Sequence, residues 1–412
     1  MDIHNKVLRL AVVAVIALGL AVWAGRSRQP QETLAQSDVV VPGLAEGVNQ
    51  VDRIVLTGAE SKPIATLERK ESGWVVAERN GYAADVAKVR EFLLKLADAT
   101  LLEAKTVLPE SYAKLGVQDV AAKDAAGVEV SIFGLKEPVK LIVGNFNGRG
   151  GEGTFVRRAG EAQSWLAKGN LVVDKVTANW LRRDLVDLPS SRIAAVEITT
   201  DGKTLRAFKD DPSAPDYQVA NVPKGRELSS PAAANGLASV LSGLRFDDVL
   251  PAASAEPGAA KVHAIRYIGF DGLRVEAQAW EADGKDYARF SASLDEAAAT
   301  AAIEREQAAA SDTYAAQKAD AEAQAKAAAE AAAKDAVGNP AGAPPAAPPA
   351  PPQPPLAVSD PAAHREQRLA EMRKEAADLA VRFQGWTFVL PNYKFANMNK
   401  TLDELLKPLE PK

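Results

Sequence analysis

At 412 residues with 47% hydrophobic composition, the chain has room for two average domains and enough apolar material for their cores. A net charge of −5, with no stretch gathering Lys and Arg among aromatics, argues against a general nucleic-acid binder, which needs a basic face. The absence of cysteine removes disulfides, thiolate metal sites and Cys nucleophiles, and it suits an oxidising compartment.

Residues 10–25 (LAVVAVIALGLAVWAG) carry no charge; Lys6 and Arg9 precede them, and Arg26 and Arg28 follow. Crossing a hydrocarbon core takes about 20 apolar residues, with roughly 17 as a lower limit. The run reaches that limit if the stem of Arg9 snorkels and Trp23 sits near the far interface. A cleaved signal peptide is the competing reading, although residues 22–24 offer small-x-small spacing only approximately. The length and flanks favour an uncleaved single-pass anchor over residues 1–28, in the inner membrane. Basic residues balance on the two sides, and the free amine tips the orientation towards a cytoplasmic N-terminus and a periplasmic body.

Residues 29–50 read as a tether. Residues 51–56 and 64–69 then alternate as strands, and residues 74–76 make a third after the turn at Gly73. A helix follows from Ala84, with Val86, Val89, Phe92, Leu93 and Leu96 at spacings of three and four. Residues 101–107 are extended. The segments 128–133, 139–143, 154–158 and 164–167 alternate like a meander, and residues 176–185 read as helical.

The same order recurs. Residues 193–199, 204–208 and 217–219 repeat the first three strands. Ser229-Ser230-Pro231 opens a helix that carries Leu237, Val240, Leu241 and Leu244 inward. Residues 246–250 are extended, and 264–270, 273–279 and 287–291 form a second meander. Its last strand is delayed to residues 386–390, where Trp386 takes the place of Trp165, and 398–406 matches 176–185. The predicted fold class is α+β: an N-terminal transmembrane helix, then a duplicated antiparallel-sheet-plus-helix unit over 51–190 and over 191–294 plus 384–412.

An Ala/Pro-rich insertion over 295–383 splits the second unit. Residues 296–336 have high helix propensity and no wide apolar stripe, so they are expected to be helical and mostly exposed. Residues 338–355 read as a polyproline-like spacer, and 362–383 as a charged return helix. The insertion is either an arm that reaches a partner or a tolerated surface loop.

Motifs that carry chemistry are weak throughout. Gly148, Gly150 and Gly153 satisfy G-x-G-x-x-G, yet a strand and not a helix follows, so a hairpin loop is expected and not a dinucleotide site. Asp184, Asp187, Asp210, Asp211, Asp247 and Asp248 read as caps and solvated corners, without the order of a calcium loop. His4, His263 and His364 are scattered, which disfavours a histidine-built zinc site or a Ser-His-Asp triad. Trp74, Trp165, Trp180, Trp280 and Trp386 read as core anchors. No catalytic, cofactor-binding or metal-ligating residue is nominated, and no cofactor is expected.

In their order, several motifs resemble one bacterial family. They are the apolar N-terminal run, Ile54-Val55-Leu56, Gly73-Trp74-Val75-Val76 and the helix 89–96, followed by Tyr112-Ala113-Lys114-Leu115-Gly116-Val117 and Leu141-Ile142-Val143-Gly144. The series closes with Trp386-Thr387-Phe388-Val389-Leu390-Pro391 and Met398-Asn399-Lys400-Thr401-Leu402. The pattern is similar to the domain of unknown function 4340 (DUF4340) over most of 50–294 and 384–410; the Ala/Pro-rich insertion departs from it. The resemblance implies an accessory role beside ABC-type transport components related to gliding-motility exporters, by association. It brings no catalytic residues. The expectation is a non-enzymatic, membrane-anchored envelope protein that binds or scaffolds ABC-type transporter subunits, with no nucleic-acid partner. A structural protein with a spacer arm and an uncharacterised hydrolase are the alternatives.

Overall fold

The computed structural model describes residues 39–148, 152–338 and 352–408, so the expected anchor over 1–28 lies outside the described residues. Among the described residues, no helix is long and apolar enough to cross a membrane. The chain divides into two compact units. The first holds the chain up to Glu78 together with Ala83–Trp180, and the second holds Arg79–Tyr82 with Leu181–Lys412.

The first sheet is built from β1 (Arg53–Thr57), β2 (Pro63–Lys70), β3 (Gly73–Val76), β4 (Tyr82–Ala83), β5 (Leu101–Ala104), β6 (Val128–Phe133), β7 (Val139–Asn147), β8 (Gly153–Arg158) and β9 (Ser164–Lys168). Helix α1 (Val86–Asp98) lies between β4 and β5 in the chain. The strand order is β4-β3-β2-β1-β6-β7-β8-β9-β5. Neighbours from β3 to β5 pair antiparallel, as short turns between sequential strands require. Ile54 and Leu56 of β1 are fully buried while Arg53 is exposed, the alternation expected of one solvated face.

The second unit contains β10 (Asp184–Val186), β11 (Ile193–Thr200), β12 (Lys203–Phe208), β13 (Gln218–Val219), β14 (Leu244–Arg245) and β15 (Asp248–Pro251). It continues with β16 (His263–Gly269), β17 (Leu273–Ala282), β18 (Lys285–Leu294), helices α2 (Glu296–Gly338) and α3 (Pro361–Phe383), and β19 (Trp386–Val389). Its main sheet runs β13-β12-β11-β16-β17-β18-β19-β15, and β10 pairs separately with β14. Along β17, Leu273, Val275, Ala277 and Ala279 are buried, whereas Arg274, Glu276 and Gln278 are exposed.

Taken from β3 or β13 inward, the two sheets list their strands in the same sequence of first, second and later elements. Trp165 of β9 pairs with Ala104, the last residue of β5, and Trp386 of β19 pairs with Pro251, the last residue of β15. A short turn joins β8 to β9, whereas α2 and α3 lie between β18 and β19.

Three expected helices are shorter than the sequence pattern indicates. After Ser229-Ser230-Pro231 the chain makes turns, a four-residue helix Asn235–Ala238 and a 3-10 turn Ser239–Leu241, and Leu244 already belongs to β14. The side-chain oxygen of Asn235 accepts the Tyr217 N–H at 3.0 Å, and its amide donates to Asp216 at 2.8 Å. Beyond the helix, the buried Lys394 ammonium donates to the carbonyls of Ser239, Val240 and Ser242 at 3.1, 2.9 and 2.7 Å, which closes the segment. Residues 176–185 hold one 3-10 turn, Thr177–Trp180, before β10, where Asp184 pairs with Arg245. Within 398–406 the helix spans Leu402–Leu405, started by a capping box between Thr401 and Glu404.

One mismatch in the core of the second unit has an energetic consequence. The Tyr267 hydroxyl of β16 is buried without a hydrogen-bond partner among the described residues, and burial pushes its pKa up. An unmade buried hydrogen bond costs about 1–3 kcal/mol. Tyr267→Phe is therefore expected to keep or raise the unfolding temperature of the second unit in calorimetry; a fall of several degrees would show that the hydroxyl is bonded.

Candidate interaction surfaces

The residues with chemical potential in the sequence fall into structural places. Gly148 and Gly153 belong to the β7–β8 hairpin, with 149–151 outside the described residues, so a strand does follow the glycine run. Gly144 is required by close approach, since a Cβ there would lie 2.4 Å from the Leu115 carbonyl oxygen. Asp184 pairs with Arg245 at 3.0 Å, Asp247 with Arg183 at 2.8 Å, and Asp248 takes the guanidinium of Arg79 at 2.6 and 2.8 Å. Asp187 accepts the Gly243 N–H at 2.7 Å. Asp211 closes a turn on Ser213, whose hydroxyl and N–H hold the carboxyl below its ordinary pKa. Among the described residues no group of three or more His, Asp or Glu is placed to hold a metal ion.

One pair escaped the sequence reading. Thr200 ends β11 and His263 opens β16, and their Oγ1 and Nδ1 atoms lie 2.7 Å apart. Burial, helped by Lys261 and opposed by Asp201, lowers the imidazole pKa, so the ring is neutral at pH 7. Their separation of 63 positions, with neither residue in a motif, hid them. Trp180 and Trp280 are buried core residues, as their pattern indicated.

Two surfaces stand apart from this network. The first is the outer face of α1. Asp85 caps the helix by accepting the Lys88 N–H at 3.0 Å, and Val89, Phe92, Leu93, Leu96 and Ala97 face the core. Phe92 meets Trp180 edge-on at 5.4 Å. The Lys88 ammonium lies 4.7 Å from the Trp180 ring centre and donates to Asp174 at 2.7 Å. Burial alone raises the Asp174 carboxyl, but bonds from Lys88, the Val176 N–H and Asn179 together hold it below its ordinary pKa. With that inner face fixed, Val86 and Leu94 point outward at 53% and 42% exposure; the sequence pattern had put Val86 inward. They line a groove of about 940 Å³ with Arg90, Glu91, Lys95 and Asp98, and residues 168–171 form its other wall.

The second surface is the arm. Asp295 caps α2 by accepting the N–H groups of Ala297 and Ala298, both at 3.1 Å. The helix start crosses Gly272 so closely that a Cβ there would meet the Asp295 oxygen at 2.6 Å. The helix is mostly exposed over its described side chains, as expected, but at its base Ala299 and Ile303 are fully buried against Met372, Leu294 and Leu369. Arg373 forks Glu296 at 2.8 Å, and Gln307 donates to the Pro361 carbonyl at 2.7 Å. Arg192 ties α3 down, bonding Glu375 at 2.8 Å and Asp271 at 2.5 Å; the Glu375 bond leads in raising its pKa. From residue 311 to 330 the helix is almost entirely exposed.

These features define an α+β protein of two antiparallel-sheet units, the second carrying a helical arm. Residues 74–263 match the model of DUF4340, a domain of unknown function. The matched stretch runs from β3 to the start of β16 and covers just under half of the chain. Comparison with curated proteins finds no match, and neither does comparison with solved structures.

Proposed function

We propose that the chain is a membrane-anchored, non-enzymatic envelope protein that binds and scaffolds ABC-type transporter subunits in the inner membrane, its body on the periplasmic side. The shared strand order of the two sheets supports reading them as two copies of one unit, each with sheet edges suited to strand pairing. The observation that carries the reading is the arm: its base is packed and ion-paired, and from residue 311 to 330 the helix continues for about 30 Å at 1.5 Å per residue without a buried face. A fixed base with an exposed shaft suits reach towards a partner. An anchor over 1–28 would add local concentration, so that even a weak contact is occupied.

The test is purification of the full chain from native membranes in mild detergent. Transporter subunits are expected to co-purify, and to be lost when residues 1–28 are replaced by a cleavable export signal or when 311–352 are removed. If nothing co-purifies and function instead tracks arm length, the spacer reading replaces this one. Thr200→Val, Asp187→Asn and Asp248→Asn should each leave function intact. Loss of function from one of them in a folded, anchored protein would put the hydrolase reading first.

A further inference from the structure

We infer that the outer ridge of α1 is a self-association face, on which two copies of the chain pair through antiparallel α1 helices about a two-fold axis at Leu94. This goes beyond the scaffold reading and does not rest on it.

The argument begins with the ridge itself. Residues four apart form a continuous row along a helix, and here that row is Val86, Arg90, Leu94 and Asp98, every one exposed. Along the axis its character reads apolar, positive, apolar, negative. A two-fold axis turns a helix against a reversed copy of itself, and an isologous contact must be complementary to its own reversal. With Leu94 facing Leu94 of the partner subunit, Arg90 and Asp98 stand four positions to either side. Arg90 then lies opposite Asp98 of the partner subunit, and the same pair forms again across the axis. The row is its own complement.

The flanking positions agree with this register. Lys95 and Glu91 pair within the helix at 2.6 Å, so the adjacent row carries no net charge into the contact. Ala87 keeps the approach open at the helix start. Neither Arg90 nor Asp98 forms an ion pair with another described residue, which leaves both for the partner. The groove of about 940 Å³ beside the ridge, walled by residues 168–171, gives the second helix a place to lie. A lipid surface would favour a basic face, whereas the charges of this one balance. One helix face of 13 residues is smaller than a standard interface of roughly 800 Å² per partner, so the dimer should be weak and concentration-dependent.

The native chain has no cysteine, so Leu94→Cys in the full-length protein supplies a single thiol at the axis. Two such thiols on facing helices come within disulfide reach. Oxidation should give a covalent dimer several-fold more abundant than for Val381→Cys, a control at a site 73% exposed on α3. Adding Arg90→Asp to Leu94→Cys should cut the dimer by at least fivefold, and adding Asp98→Arg as well should restore it. Circular dichroism melts confirm that each variant is folded; all substituted positions are on the surface. Equal cross-linking at positions 94 and 381, no effect of Arg90→Asp, or failure of the double reversal to restore the dimer would each overturn the inference. Co-purification of transporter subunits is read separately, so loss of one result leaves the other standing.

Discussion

Replacing Phe383 with alanine should destabilise the second unit by about 3–5 kcal/mol, the usual cost of removing a buried phenylalanine. Phe383 ends α3 and is 1% exposed. Its ring lies 5.5 Å from that of Phe290 in β18, and Phe290 in turn lies 6.2 Å from Phe388 in β19. The side chain therefore joins the return helix to the two strands that the insertion separates in sequence. Shrinking it leaves a cavity that neither a long helix nor a hydrogen-bonded strand pair can collapse to fill. In calorimetry the transition of the second unit should move down by many degrees while that of the first stays in place. Deleting residues 311–352 removes far more chain, yet should shift neither transition by more than a degree or two, because residues 311–330 of the arm are almost entirely exposed. If the truncation proved as damaging as Phe383→Ala, the shaft would have to pack on the body.

The contrast also marks where the sequence was readable. In α3 the buried positions Met372, Ala376, Leu379 and Phe383 follow at four, three and four, a helical stripe visible among charged residues. In α2 the equivalent signal is one isoleucine, Ile303, four residues after Ala299 in a run of alanines. Alanine is equally at home on a surface and in a tight contact, so composition identified the helix and concealed its docked base. The meanders were legible because β-branched and aromatic residues alternate in them with period two. The helix after Ser229 was overread for the opposite reason. Serine and proline gave a sound start signal, but the Asn235 side chain is engaged by the Tyr217 N–H and Lys394 takes the carbonyls at the segment's end, and no local pattern encodes either.

The α1 ridge was half legible. The inward set at 89, 92, 93 and 96 fixes which face looks out, and that places Arg90, Leu94 and Asp98 together without further knowledge. Val86 was misassigned because it is apolar and lies three residues before Val89, although the first turn of a helix commonly rises out of the core. The opposing wall at 168–171 comes from the far end of the unit's sequence, and only the β5–β9 pairing brings it beside the helix.

Arg157 should prove the most sensitive charged position in the first unit, and its loss should separate hydrogen bonding from ion pairing. The side chain rises from β8 into a site where it is only 4% exposed. Its Nε donates to the Val117 carbonyl at 2.8 Å and its Nη1 to the Glu161 carbonyl at 2.9 Å; Nη2 reaches Asp119. The guanidinium lies 4.6 Å from the Tyr112 ring centre, and the Tyr112 hydroxyl donates to the Ala162 carbonyl at 2.5 Å. One planar cation thus fixes the segment that leads from 112 to 119 against the sheet. Arg157→Ala leaves the Val117 carbonyl without its donor and Tyr112 without its cover, for an expected loss of about 2–4 kcal/mol. Lysine should recover less than half of that, because a point ammonium cannot meet diverging acceptors in one plane. Asp119 behaves differently: its carboxylate is 75% exposed and rehydrates when the pair breaks. Asp119→Asn should therefore cost no more than about 1 kcal/mol, as exposed pairs do. Denaturant titration of the three variants decides the matter. Equal losses for Arg157→Ala and Asp119→Asn would mean that the ion pair, and not the buried carbonyl bonds, holds this part of the first unit together.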